Sequence, residues 1–590
     1  MRIMKPMRLT LANDAPMGKD WTYEVKYDGF RTLLYWSEEG IHLISRNEKD
    51  LTDRFPEITA LAETINPPKL PLLLDGELVV LNTPYQANFP LLQQRGRLRN
   101  KTKINDIATS RPVTFVAFDI LLDPKWKLNK RRQVLKDVIK KLPTNRIQLI
   151  ESFTKAEDVK AIVHTHQGEG IVAKKKDSFY QEDIRSKDWQ KVKNWRTISG
   201  FLTHFDPSND YFQLAIMEDA ETTTIGKFKH GLDAEQHETL RSFFKNKGTK
   251  TEGGWNLGPG VCVDVHCLHA ENGELREPVF HEFRFDLSHD ECTKEKLEWD
   301  LSLFPENVTF TNLDKALWPG VTKREYLLYL RDIAPYLLPH LLNKKLTLIR
   351  FPDGIDKPSF FQKHASSSQP SFVETWPEND EEFLLCSGLE SLLWFGNQGA
   401  LEFHIPFQKV KEQQPTDIVF DLDPPDRDAF SLAIKAAQLF KQLLDELDVR
   451  SFIKTSGNKG MQLHIPILGG SMSYEETRGF TESLAALLVR QHPESFTTER
   501  LKKKRGKRLY IDYVQHAEGK TIIAPYSARA TEKATIAAPL YWNEVTENLH
   551  PDQFTLQNTL KRVQTYGCPF SDYGQARLHQ PIETMKSLKD

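Results

Sequence analysis

Lys26 begins the sequence Lys-Tyr-Asp-Gly-Phe-Arg, which places an amine, a carboxylate and a guanidinium within six residues. An amine acts as a nucleophile only after losing its proton, so its pKa must fall, which burial and neighbouring cations accomplish. Lys174, Lys191 and Lys193 lie downstream and offer such cations. They would also neutralise negative charge that develops on an attacked phosphate. The residue types therefore predict a nucleophilic lysine site.

A second set of residues offers carboxylates instead of an amine. Asp421 and Asp423 alternate along the apolar sequence Ile-Val-Phe-Asp-Leu-Asp, so on a strand both side chains point to one face. Asp512 ends the similar sequence Leu-Tyr-Ile-Asp. Three convergent carboxylates hold two divalent ions ~3.5–4 Å apart, an arrangement that activates a hydroxyl and steadies a leaving pyrophosphate. We therefore predict a two-metal centre here.

A glycine-rich turn, Lys-Thr-Ser-Gly-Asn-Lys-Gly, lies between these aspartates in the chain. Its two glycines allow backbone amides to approach a triphosphate closely. Ser456, Lys459 and His464 add side-chain donors around it. The turn thus predicts a nucleoside triphosphate site beside the metal centre.

The lysine site must be built mainly from strands. Apolar and polar residues alternate around a Tyr-Asp-Gly turn, which predicts paired strands over 21–44 with Lys26 at a strand end. From residue 200, short strands separated by turn signals predict a small β-barrel, interrupted by a helix at 234–246. The other predicted elements of this half are strands at 72–81, 113–121, 146–151 and 170–174, and helices at 131–142 and 155–164.

The metal centre belongs to a different kind of domain. Segment 291–306 is polar, has no clear period beyond one possible turn of helix and is predicted to be a linker. Beyond it helices alternate with strands, which predicts a mixed α/β domain. The helices are expected at 322–342, 428–448 and 473–491, and the strands at 346–351, 417–422, 451–455, 461–467, 508–514 and 521–524. Domains are therefore expected at 1–198, 199–290 and 307–590.

Bulk composition narrows the function classes. A chain of 590 residues exceeds what one core usually serves, so several domains are expected. With 79 basic against 81 acidic residues, any nucleic-acid binding must be local, at basic runs such as 500–508. The five cysteines form no Cys-x-x-Cys pair and are interpreted as reduced and structural. No apolar run approaches the ~20 residues that span a bilayer, so we expect a cytoplasmic protein without membrane contact.

The motifs around Lys26 resemble those of ATP-dependent DNA ligases in order and approximate spacing. The series continues with Ser-Arg-Asn at 45–47, Asp-Gly-Glu at 75–77, Phe-Asp at 118–119, Glu-Gly-Ile-Val-Ala-Lys at 169–174 and Lys-Val-Lys at 191–193. The resemblance implies that Lys26 is adenylated by ATP. By the same resemblance, Arg31 and Glu77 hold the ribose and Phe118 stacks on adenine. It further implies that ATP is bound by Arg46, Lys174, Lys191 and Lys193, and that Glu77 and Glu169 lie near a magnesium ion.

The segment at about 200–290 resembles the OB domain that follows the adenylation domain in these ligases. Its end, Leu-Arg-Glu-Pro-Val-Phe at 275–280 and Arg-Phe-Asp at 284–286, resembles the last ligase motif. That motif usually continues with lysine, whereas this chain has Leu287. Arg276 and Arg284 are then expected to orient the pyrophosphate without it.

Residues from about 306 to 545 resemble the archaeo-eukaryotic primase superfamily, specifically the polymerase domain of bacterial LigD end-joining ligases. The resemblance rests on the three aspartates, the glycine-rich turn and Ala-Pro-Tyr-Ser-Ala-Arg at 524–529. It implies that Ser527 and Arg529 also bind the nucleotide. Gln462 stands where many relatives have histidine, and His464, two residues later on the strand, is expected to take over.

The same resemblance implies contacts with DNA. Asn312, Lys315 and Lys323 would grip the 5′-phosphate of a gapped end. Phe360 and Phe361 resemble the aromatic platform for the template base, the alternative being an ordinary pair of core phenylalanines.

Together the two halves resemble the LigD family across nearly the whole chain, in the ligase-first order of Bacillus-type proteins. The fold implied is multidomain α+β, with a nucleotidyltransferase domain, an OB-fold β-barrel and a primase-like α/β polymerase domain. The activity implied is nick sealing and gap filling at broken DNA ends bearing a 5′-phosphate, in non-homologous end joining. The resemblance also implies ATP, Mg²⁺ or Mn²⁺, ribonucleoside triphosphates, a Ku homodimer as partner and a place at the nucleoid.

Two other functions stay open at this point. An RNA ligase or a capping guanylyltransferase would share the Lys26 site, although neither should carry a C-terminal polymerase. Alternatively, the chain is a DNA-end scaffold whose centres have decayed. Retention of the charged residues of both sites argues against decay, which rarely spares every one of them; these residues are Lys26, Glu77, Glu169, Lys193, Asp421, Asp423 and Asp512.

Overall fold

The computed structural model describes residues 4–366 and 369–588, which fall into two compact units, Met1–Phe304 and Pro305–Asp590. Both units are mixtures of β-sheet and helix. In the described part of the chain, no helix is long and apolar enough to cross a membrane.

The first part of the first unit contains two sheets whose facing strands carry the ligase-like motifs. The five-stranded sheet consists, in spatial order, of Gly40–Ser45, Phe30–Ser37, Leu72–Val79, Thr114–Ile120 and Ile147–Leu149. The four-stranded sheet consists of Arg8–Leu11, Arg185–Lys193, Gly170–Lys175 and Trp21–Lys26. Apolar residues of the five-stranded sheet are buried in a large core that includes Leu34, Leu74 and Phe115. This core fixes the sheet, and its strand ends deliver the polar side chains of the site.

The rest of the first unit is dominated by a seven-stranded sheet. Its strands are Glu221–Phe228, Tyr211–Glu218, Arg196–Asp206, Gly254–Asn256, Thr249–Thr251, Cys262–Cys267 and Val279–Phe283. The long strand Arg196–Asp206 pairs with both Tyr211–Glu218 and Cys262–Cys267, so it organises the sheet. Two short hairpins pair Leu81–Thr83 with Gln86–Ala87 and Ala270–Glu271 with Glu274–Leu275.

Helices cover these sheets. They are Pro56–Thr59, Leu61–Thr64, Phe89–Arg97, Lys101–Ser110, Leu128–Ile139, Ala156–Thr165, Ala234–Lys247 and Lys294–Leu301, with 3₁₀ turns at Thr52–Arg54 and His289–Glu291. The helix Ala234–Lys247 begins at a capping box, in which the Asp233 and Gln236 side chains accept each other's backbone N–H.

The second unit contains a six-stranded and a four-stranded sheet. The first consists of Phe496–Thr497, Leu509–Asp512, Asp417–Asp423, Met461–Pro466, Phe452–Thr455 and Pro539–Leu540. The second consists of Phe360–Gln362, Thr347–Arg350, Ala400–Pro406 and Thr521–Ile523. Hairpins pair Ala316–Trp318 with Val321–Thr322 and Thr375–Glu378 with Glu381–Leu384.

Long helices surround these two sheets. The helices are Lys323–Leu341, Leu389–Asn397, Phe430–Glu446, Tyr474–Gln491, Lys502–Arg505, Thr559–Tyr566, Tyr573–Ala576 and Ile582–Ser587, with 3₁₀ turns at Trp542–Glu544 and Arg577–His579. Lys323–Leu341 and Tyr474–Gln491 both begin at capping boxes, formed by Thr322 with Glu325 and by Ser473 with Glu476. The long helices predicted from the sequence are confirmed to within two residues at each end.

Segment 291–306 was predicted to be a linker, but the structure contains the helix Lys294–Leu301 within it. The Thr293 side chain caps this helix by accepting a hydrogen bond from the Lys296 backbone. Leu297 is the buried residue of the helix, and it joins the hydrophobic core of the first unit. One buried position in eight residues is too weak a period to indicate a helix from sequence.

Candidate active sites

Lys26 and Glu169 are brought together by strand pairing in the first unit. Lys26 ends its strand, and its register partner is Gly170, the residue that follows Glu169. Lys26 Nζ lies 2.6 Å from Glu169 Oε2. Gly170 has a φ of 154°, and a Cβ there would lie 2.1 Å from the Val192 carbonyl oxygen, so this close approach requires glycine.

Arg31 and Glu77 are register partners on adjacent strands, which places both beside Lys26. The Arg31 guanidinium donates to both carboxylate oxygens of Asp75, at 3.1 and 2.7 Å. It also lies 5.4 Å from the centre of the Phe118 ring. Arg31 is therefore held by Asp75, a residue that no motif had assigned a role, while Glu77 and Phe118 stay open to a ligand.

A cavity of about 410 Å³ lies above Lys26. It brings together predicted ATP-binding residues from distant parts of the chain; its lining includes Lys26, Arg31, Arg46, Glu77, Glu169, Lys191 and Arg276. An adjoining cavity extends from Lys26 to Phe118, Lys174 and Trp189. The Arg46 backbone donates to the Arg31 carbonyl at 2.9 Å, which fixes the turn that carries Arg46. Lys193 does not line either cavity.

Lys174 occupies an enclosed position behind the cavity. Its ammonium lies 4.3 Å from the centre of the Phe118 ring and 4.1 Å from that of Trp189, and 2.9 Å from Glu24 Oε2. Burial lowers the pKa of Lys174. Glu24 also binds Arg132, which no motif indicated. Glu24 is buried and lies two residues before Lys26, on the same strand face. That spacing from Lys26 is the sequence signal that was overlooked.

The electrostatics of Lys26 differ from the expectation. Burial lowers the pKa of Lys26, but Glu169, Glu77 and Asp28 more than offset this and raise it above its usual value. Burial raises the pKa of Glu77 to about 8 and also raises that of Glu169. The prediction that neighbouring lysines lower the pKa of Lys26 is therefore wrong, because the neighbouring carboxylates raise it. The carboxyl pair Glu77 and Glu169 suits a divalent cation, whose charge would offset theirs.

Two residues of the last ligase-like motif reach this site. Arg276 pairs with Asp28, with one hydrogen bond of 3.0 Å, and its guanidinium lies 4.1 Å from the centre of the Phe89 ring. Glu277 forms an ion pair with Lys193. Glu277 has a φ of 53°, in the left-handed region that residues other than glycine seldom adopt. The turn thus presents an arginine and a carboxylate to the cavity above Lys26.

Arg284 and Leu287 do not reach the cavity. Arg284 donates to Asp264 at 2.8 Å and to Asp286 at 2.9 Å, so its guanidinium is already paired. Leu287 packs against the hydrophobic core of the seven-stranded sheet. Arg276 alone, and not the pair expected from the motif, is placed to contact a ligand above Lys26.

In the second unit, Asp421 and Asp512 are register partners on adjacent strands. Asp421 Oδ1 accepts a hydrogen bond of 3.1 Å from the Gln462 amide. Burial, with further contributions from Asp423 and Asp512, raises the pKa of Asp421 to about 6. The pKa of Asp512 is also raised, first by burial. These shifts are those of a carboxylate cluster with uncompensated charge, which a divalent cation would neutralise.

Asp423, the third aspartate, is paired with cations. Lys459 Nζ lies 2.9 Å from Asp423 Oδ1, and Arg505 Nη1 lies 3.4 Å from Oδ2. Within residues 4–366 and 369–588, no three His, Cys, Asp or Glu side chains stand ready as a metal site. The three aspartates share a sheet end, but Asp423 is engaged by a lysine and an arginine while Asp421 and Asp512 are not.

The glycine-rich turn borders the aspartates as predicted, in a cavity of about 200 Å³. Ser456 Oγ accepts hydrogen bonds from the Asn458 and Gly460 backbones, at 3.2 and 3.1 Å. A Cβ at Gly460 would lie 2.3 Å from the Leu422 carbonyl oxygen, so glycine is needed where the turn crosses the aspartate strand. The cavity is lined by Asp421, Asp423, Ser456, Lys459, Gln462, Arg529 and His404, among others.

The structure does not bring Ser527 and His464 to this cavity. Ser527 is fully buried, and its Oγ accepts a hydrogen bond of 2.9 Å from the Phe403 backbone. His464 lines a different small cavity, together with Lys344, Asp417 and Tyr573. His464 is the register partner of Val419, and this pair lies two residues along the strands from the pair Gln462 and Asp421. Hence His464 does not replace the histidine expected at position 462.

His404 lines the cavity beside the aspartates, although no motif singled it out. Its Nε2 lies 3.0 Å from Glu402 Oε2, and Arg529 Nη1 lies 3.3 Å from the same oxygen. Glu402 and His404 sit two residues apart on one strand, so they share a face. A single buried carboxylate therefore holds two cavity side chains from different parts of the chain.

Asn312, Lys315 and Lys323 are close neighbours in the second unit. The Lys315 backbone donates to the Asn312 carbonyl at 3.1 Å, and the Lys323 backbone donates to the Lys315 carbonyl at 2.8 Å. Lys323 Nζ donates to the Thr311 carbonyl at 2.6 Å. Burial, with a smaller contribution from Lys315, lowers the pKa of Lys323 to about 8. Lys315 Nζ is paired with Asp353 at 2.9 Å, so an anion at these two lysines and the asparagine would compete with that carboxylate.

Phe360 and Phe361 are exposed, at 45% and 72% of their surface. They lie on the edge strand of the four-stranded sheet, and the Arg350 guanidinium lies 4.9 Å from the centre of the Phe360 ring. The alternative that they form a core pair is therefore wrong. Exposed aromatic rings on a strand edge are suited to stacking on a base.

Comparison with known proteins gives matches over both units. Residues 7–193 match the family described as ATP dependent DNA ligase domain, and residues 322–570 match LigD, primase-polymerase domain. The bifunctional non-homologous end joining protein LigD of Bacillus subtilis is 40% identical over 98% of this chain and 98% of its own length. The multifunctional LigD of Pseudomonas aeruginosa is 26% identical, over 97% of this chain and 72% of its own.

A solved structure of the polymerase domain of Mycobacterium tuberculosis ligase D in complex with DNA is also similar. It is 28% identical and covers 47% of this chain and 100% of its own, with a TM-score of 0.43.

Proposed function

The chain belongs to the LigD family of bifunctional non-homologous end joining proteins, and from that premise we propose which residues perform its two activities. The family membership establishes an ATP-dependent DNA ligase joined to a primase-like polymerase, in ligase-first order. We assign residues 1–198 to the adenylation domain, 199–290 to an OB-fold domain, 291–306 to the connection and 307–590 to the polymerase domain. Because the family acts in non-homologous end joining, we expect this protein to work at the nucleoid.

Lys26 is the nucleophile of the ligase reaction in this proposal. Its Nζ forms a bond to the α-phosphorus of ATP, and pyrophosphate leaves. Two protons leave Nζ in all. The ammonium first gives one to Glu169, whose Oε2 lies 2.6 Å away, because only the neutral amine can attack, and the second passes to solvent as the bond to phosphorus forms. ATP with its divalent cation would draw Glu169 away from the amine. A cation held by Glu77 and Glu169 would offset the charge of the phosphates.

The remaining ligase residues bind the nucleotide. Phe118 stacks on adenine and Glu77 holds the ribose, with Arg31 fixed beside them by Asp75. Arg46, Lys191 and Arg276 face the cavity and contact the phosphates. Lys174 supports the base pocket from behind Phe118, whereas Lys193 must first leave Glu277 to bind phosphate. The AMP then passes to a 5′-phosphate, and a 3′-hydroxyl displaces it to seal the nick.

Asp421, Asp423 and Asp512 are the metal-binding residues of the polymerase reaction. A bound Mg²⁺ or Mn²⁺ supplies the positive charge that lowers the pKa of a primer 3′-hydroxyl and stabilises the leaving pyrophosphate. Ser456, Lys459, Arg529 and His404 line the cavity beside these aspartates and hold the triphosphate. By family resemblance, ribonucleoside triphosphates are the preferred substrates.

DNA contacts are assigned to residues outside the catalytic cavities. Asn312, Lys315 and Lys323 bind the 5′-phosphate at a gap, and Phe360 with Phe361 stack on the template base. These contacts direct the polymerase to broken or gapped ends. Once a gap is filled, a nick remains for the ligase to seal. A Ku homodimer is the expected partner, again by family resemblance.

The observation that carries this assignment is the separate gathering of two sets of charged side chains, one around Lys26 and one around Asp421. The test is incubation of the full chain with ATP radioactive at the α-phosphate, followed by separation under denaturing conditions. A covalent adduct that forms with ATP in preference to GTP supports a ligase. A preference for GTP would favour a capping enzyme, and absence of any adduct would favour a scaffold.

A further inference from the structure

A row of polar side chains crosses four adjacent strands of the six-stranded sheet in the second unit. Lys454 is the register partner of Gln462, Gln462 of Asp421, and Asp421 of Asp512. Neighbours in register on one sheet face have side chains close enough to interact. The row therefore links a lysine in the sheet interior to the aspartates of the polymerase centre.

Lys454 is fully buried and does not line the nucleotide cavity. Its Nζ donates a hydrogen bond to Gln462 Oε1 and, at 3.4 Å, another to the Thr455 carbonyl. Burying an amine costs free energy unless its hydrogen bonds are made. The Gln462 side chain is thus the principal polar partner of this lysine, rather than an incidental neighbour.

The hydrogen bond from Lys454 Nζ to Gln462 Oε1 fixes the orientation of the Gln462 amide. A glutamine amide has one oxygen that accepts and one nitrogen that donates. With the oxygen facing Lys454, the amide nitrogen must face the other way, and it donates to Asp421 Oδ1 at 3.1 Å. Turning the amide over would set its nitrogen against the lysine and its oxygen against a carboxylate.

The consequence falls on Asp421. A hydrogen bond to Oδ1 restricts rotation of the carboxylate and leaves Oδ2 for a cation. Asp421 needs such a restraint because it forms no ion pair within the described residues, in contrast to Asp423 with Lys459 and Arg505. Groups that hold a metal-binding side chain in place typically change metal affinity or activity by roughly 10–100-fold when removed.

We propose that Lys454 is a positioning residue of the polymerase centre, which acts through Gln462 to hold the Asp421 carboxylate in the orientation that binds a divalent cation. The inference rests on the proposed role of Asp421 as a metal-binding residue. Lys454 itself touches neither nucleotide nor cation. Gln462, at the position where many relatives have histidine, is the link between them.

A purely structural role makes a different prediction. If Lys454 only filled space in the sheet, its replacement by methionine would lower the thermal unfolding temperature and leave metal binding unchanged. If Lys454 acts through Gln462, removal of either residue weakens metal binding to a similar degree. Removal of both should then be no worse than removal of one, because residues that act in series are not additive.

The experiment uses full-length protein freed of metal. Binding of Mn²⁺ is followed by the electron paramagnetic resonance signal of the free ion, for wild type, Lys454→Met, Gln462→Met and the double variant. Asp421→Ala shows which binding belongs to this centre, and Lys441→Met, on the helix Phe430–Glu446, is the matched control. Primer extension over a range of Mn²⁺ concentrations is measured on the same preparations, and the thermal unfolding temperature of each variant reports that its second unit is folded.

We expect the apparent Kd for Mn²⁺ to rise at least about tenfold in each single variant and no further in the double variant. High Mn²⁺ should restore much of the extension rate, with the KM for the nucleotide unchanged. An unchanged Mn²⁺ Kd in both Lys454→Met and Gln462→Met, with binding lost in Asp421→Ala, would overturn the inference alone. Unchanged binding and extension in Asp421→Ala would overturn the proposed function of the site instead.

If Lys454→Met does not fold, Gln462→Met decides the question, because this substitution removes the amide that contacts Asp421.

Discussion

The two catalytic regions differ in how many of their carboxylates form ion pairs. Around Lys26 the charges are paired with one another, as in Lys26 with Glu169, Arg276 with Asp28 and Lys193 with Glu277. Around Asp421 only Asp423 is paired, with Lys459 and Arg505, whereas Asp421 and Asp512 form no ion pair among the described residues. Asp512 instead accepts hydrogen bonds from the Tyr510 hydroxyl and the Gln515 backbone, at 3.1 and 2.9 Å.

The difference shows in the pKa values. Glu169 and its neighbours raise the pKa of Lys26, whereas burial and neighbouring aspartates raise that of Asp421 to about 6. At the ligase centre the substrate must therefore break existing ion pairs, because the cations there are already paired with carboxylates. The polymerase centre must instead bind a cation, because its negative charge is unbalanced until one binds.

The largest effect is expected at the ligase nucleophile. Lys26→Ala should abolish the AMP adduct and nick sealing, and leave nucleotide addition intact. Lys26→Arg should fail as well, since a guanidinium keeps its proton at neutral pH and cannot attack. The adduct is detected with ATP labelled at the α-phosphate, and a normal yield from either variant would show that another residue is the nucleophile.

A comparably large effect is expected at the polymerase centre. Asp421→Ala or Asp512→Ala should stop extension of a primer on a gapped duplex, because losing one carboxylate prevents the two-ion arrangement. Folding should survive, and the thermal unfolding temperature in chelator should stay the same or rise, since Asp421 is a buried carboxylate beside like charges. Extension at the wild-type rate in both variants would refute the three-aspartate assignment.

The pairing of Lys193 with Glu277 gives a smaller test on the ligase side. Glu277→Gln removes the charge that engages Lys193, so adduct formation at low ATP should speed up by roughly two- to fivefold, the scale of a partly exposed ion pair. Glu274→Gln, on an exposed position of the nearby hairpin, is the matched control. A slower reaction in Glu277→Gln would mean that this carboxylate assists the reaction instead of competing with ATP.

Lys323 links DNA-end binding to pH. Its pKa is lowered to about 8, so the amine loses its proton as pH rises through that value and no longer attracts a phosphate dianion. Preference of the protein for a 5′-phosphate over a 5′-hydroxyl end should therefore fall by up to roughly tenfold between pH 7 and 9. Lys323→Arg should bind with a flat pH profile, because arginine stays charged. The same pH dependence in wild type and Lys323→Arg would exclude Lys323 as its source.

The smallest effect is expected at the basic run 500–508. Lys502, Lys503 and Lys504 are exposed, whereas Arg505 faces Asp423 and the Tyr510 ring. Replacing the three lysines with glutamine should weaken DNA binding equally for all sequences. The salt slope should fall by roughly 0.9 for each phosphate that the protein no longer neutralises. A salt slope equal to that of wild type would show that the run is only a solvated loop.

The sequence was a good guide where local patterns decide the structure. Strands that end at Lys26 and Asp423 follow from short apolar runs, and the glycine-rich turn follows from its two glycines. Contacts between distant segments could not be predicted in this way. Ser527 is buried because it bonds to Phe403, 124 residues away, and His464 faces Tyr573, 109 residues away.

The pairing of charged side chains could not be predicted from the sequence either. Lys174 and Lys193 were expected to act together on Lys26, but each has a carboxylate partner of its own, Glu24 and Glu277. The direction of the Lys26 pKa shift depends on those partners, which only the fold reveals. Glu402, which holds both His404 and Arg529, was overlooked for the same reason.

The central claim is that one chain carries two independent centres, and a reaction in trans tests it most directly. A duplex with a one-nucleotide gap and a 5′-phosphate is incubated with Lys26→Ala protein, with Asp421→Ala protein, and with an equimolar mixture. Lys26→Ala should fill the gap without sealing, Asp421→Ala should leave it unfilled, and the mixture should yield a sealed full-length strand. If the mixture yields none, although Lys26→Ala fills gaps and Asp421→Ala seals ready-made nicks, the centres are not independent and the account is contradicted.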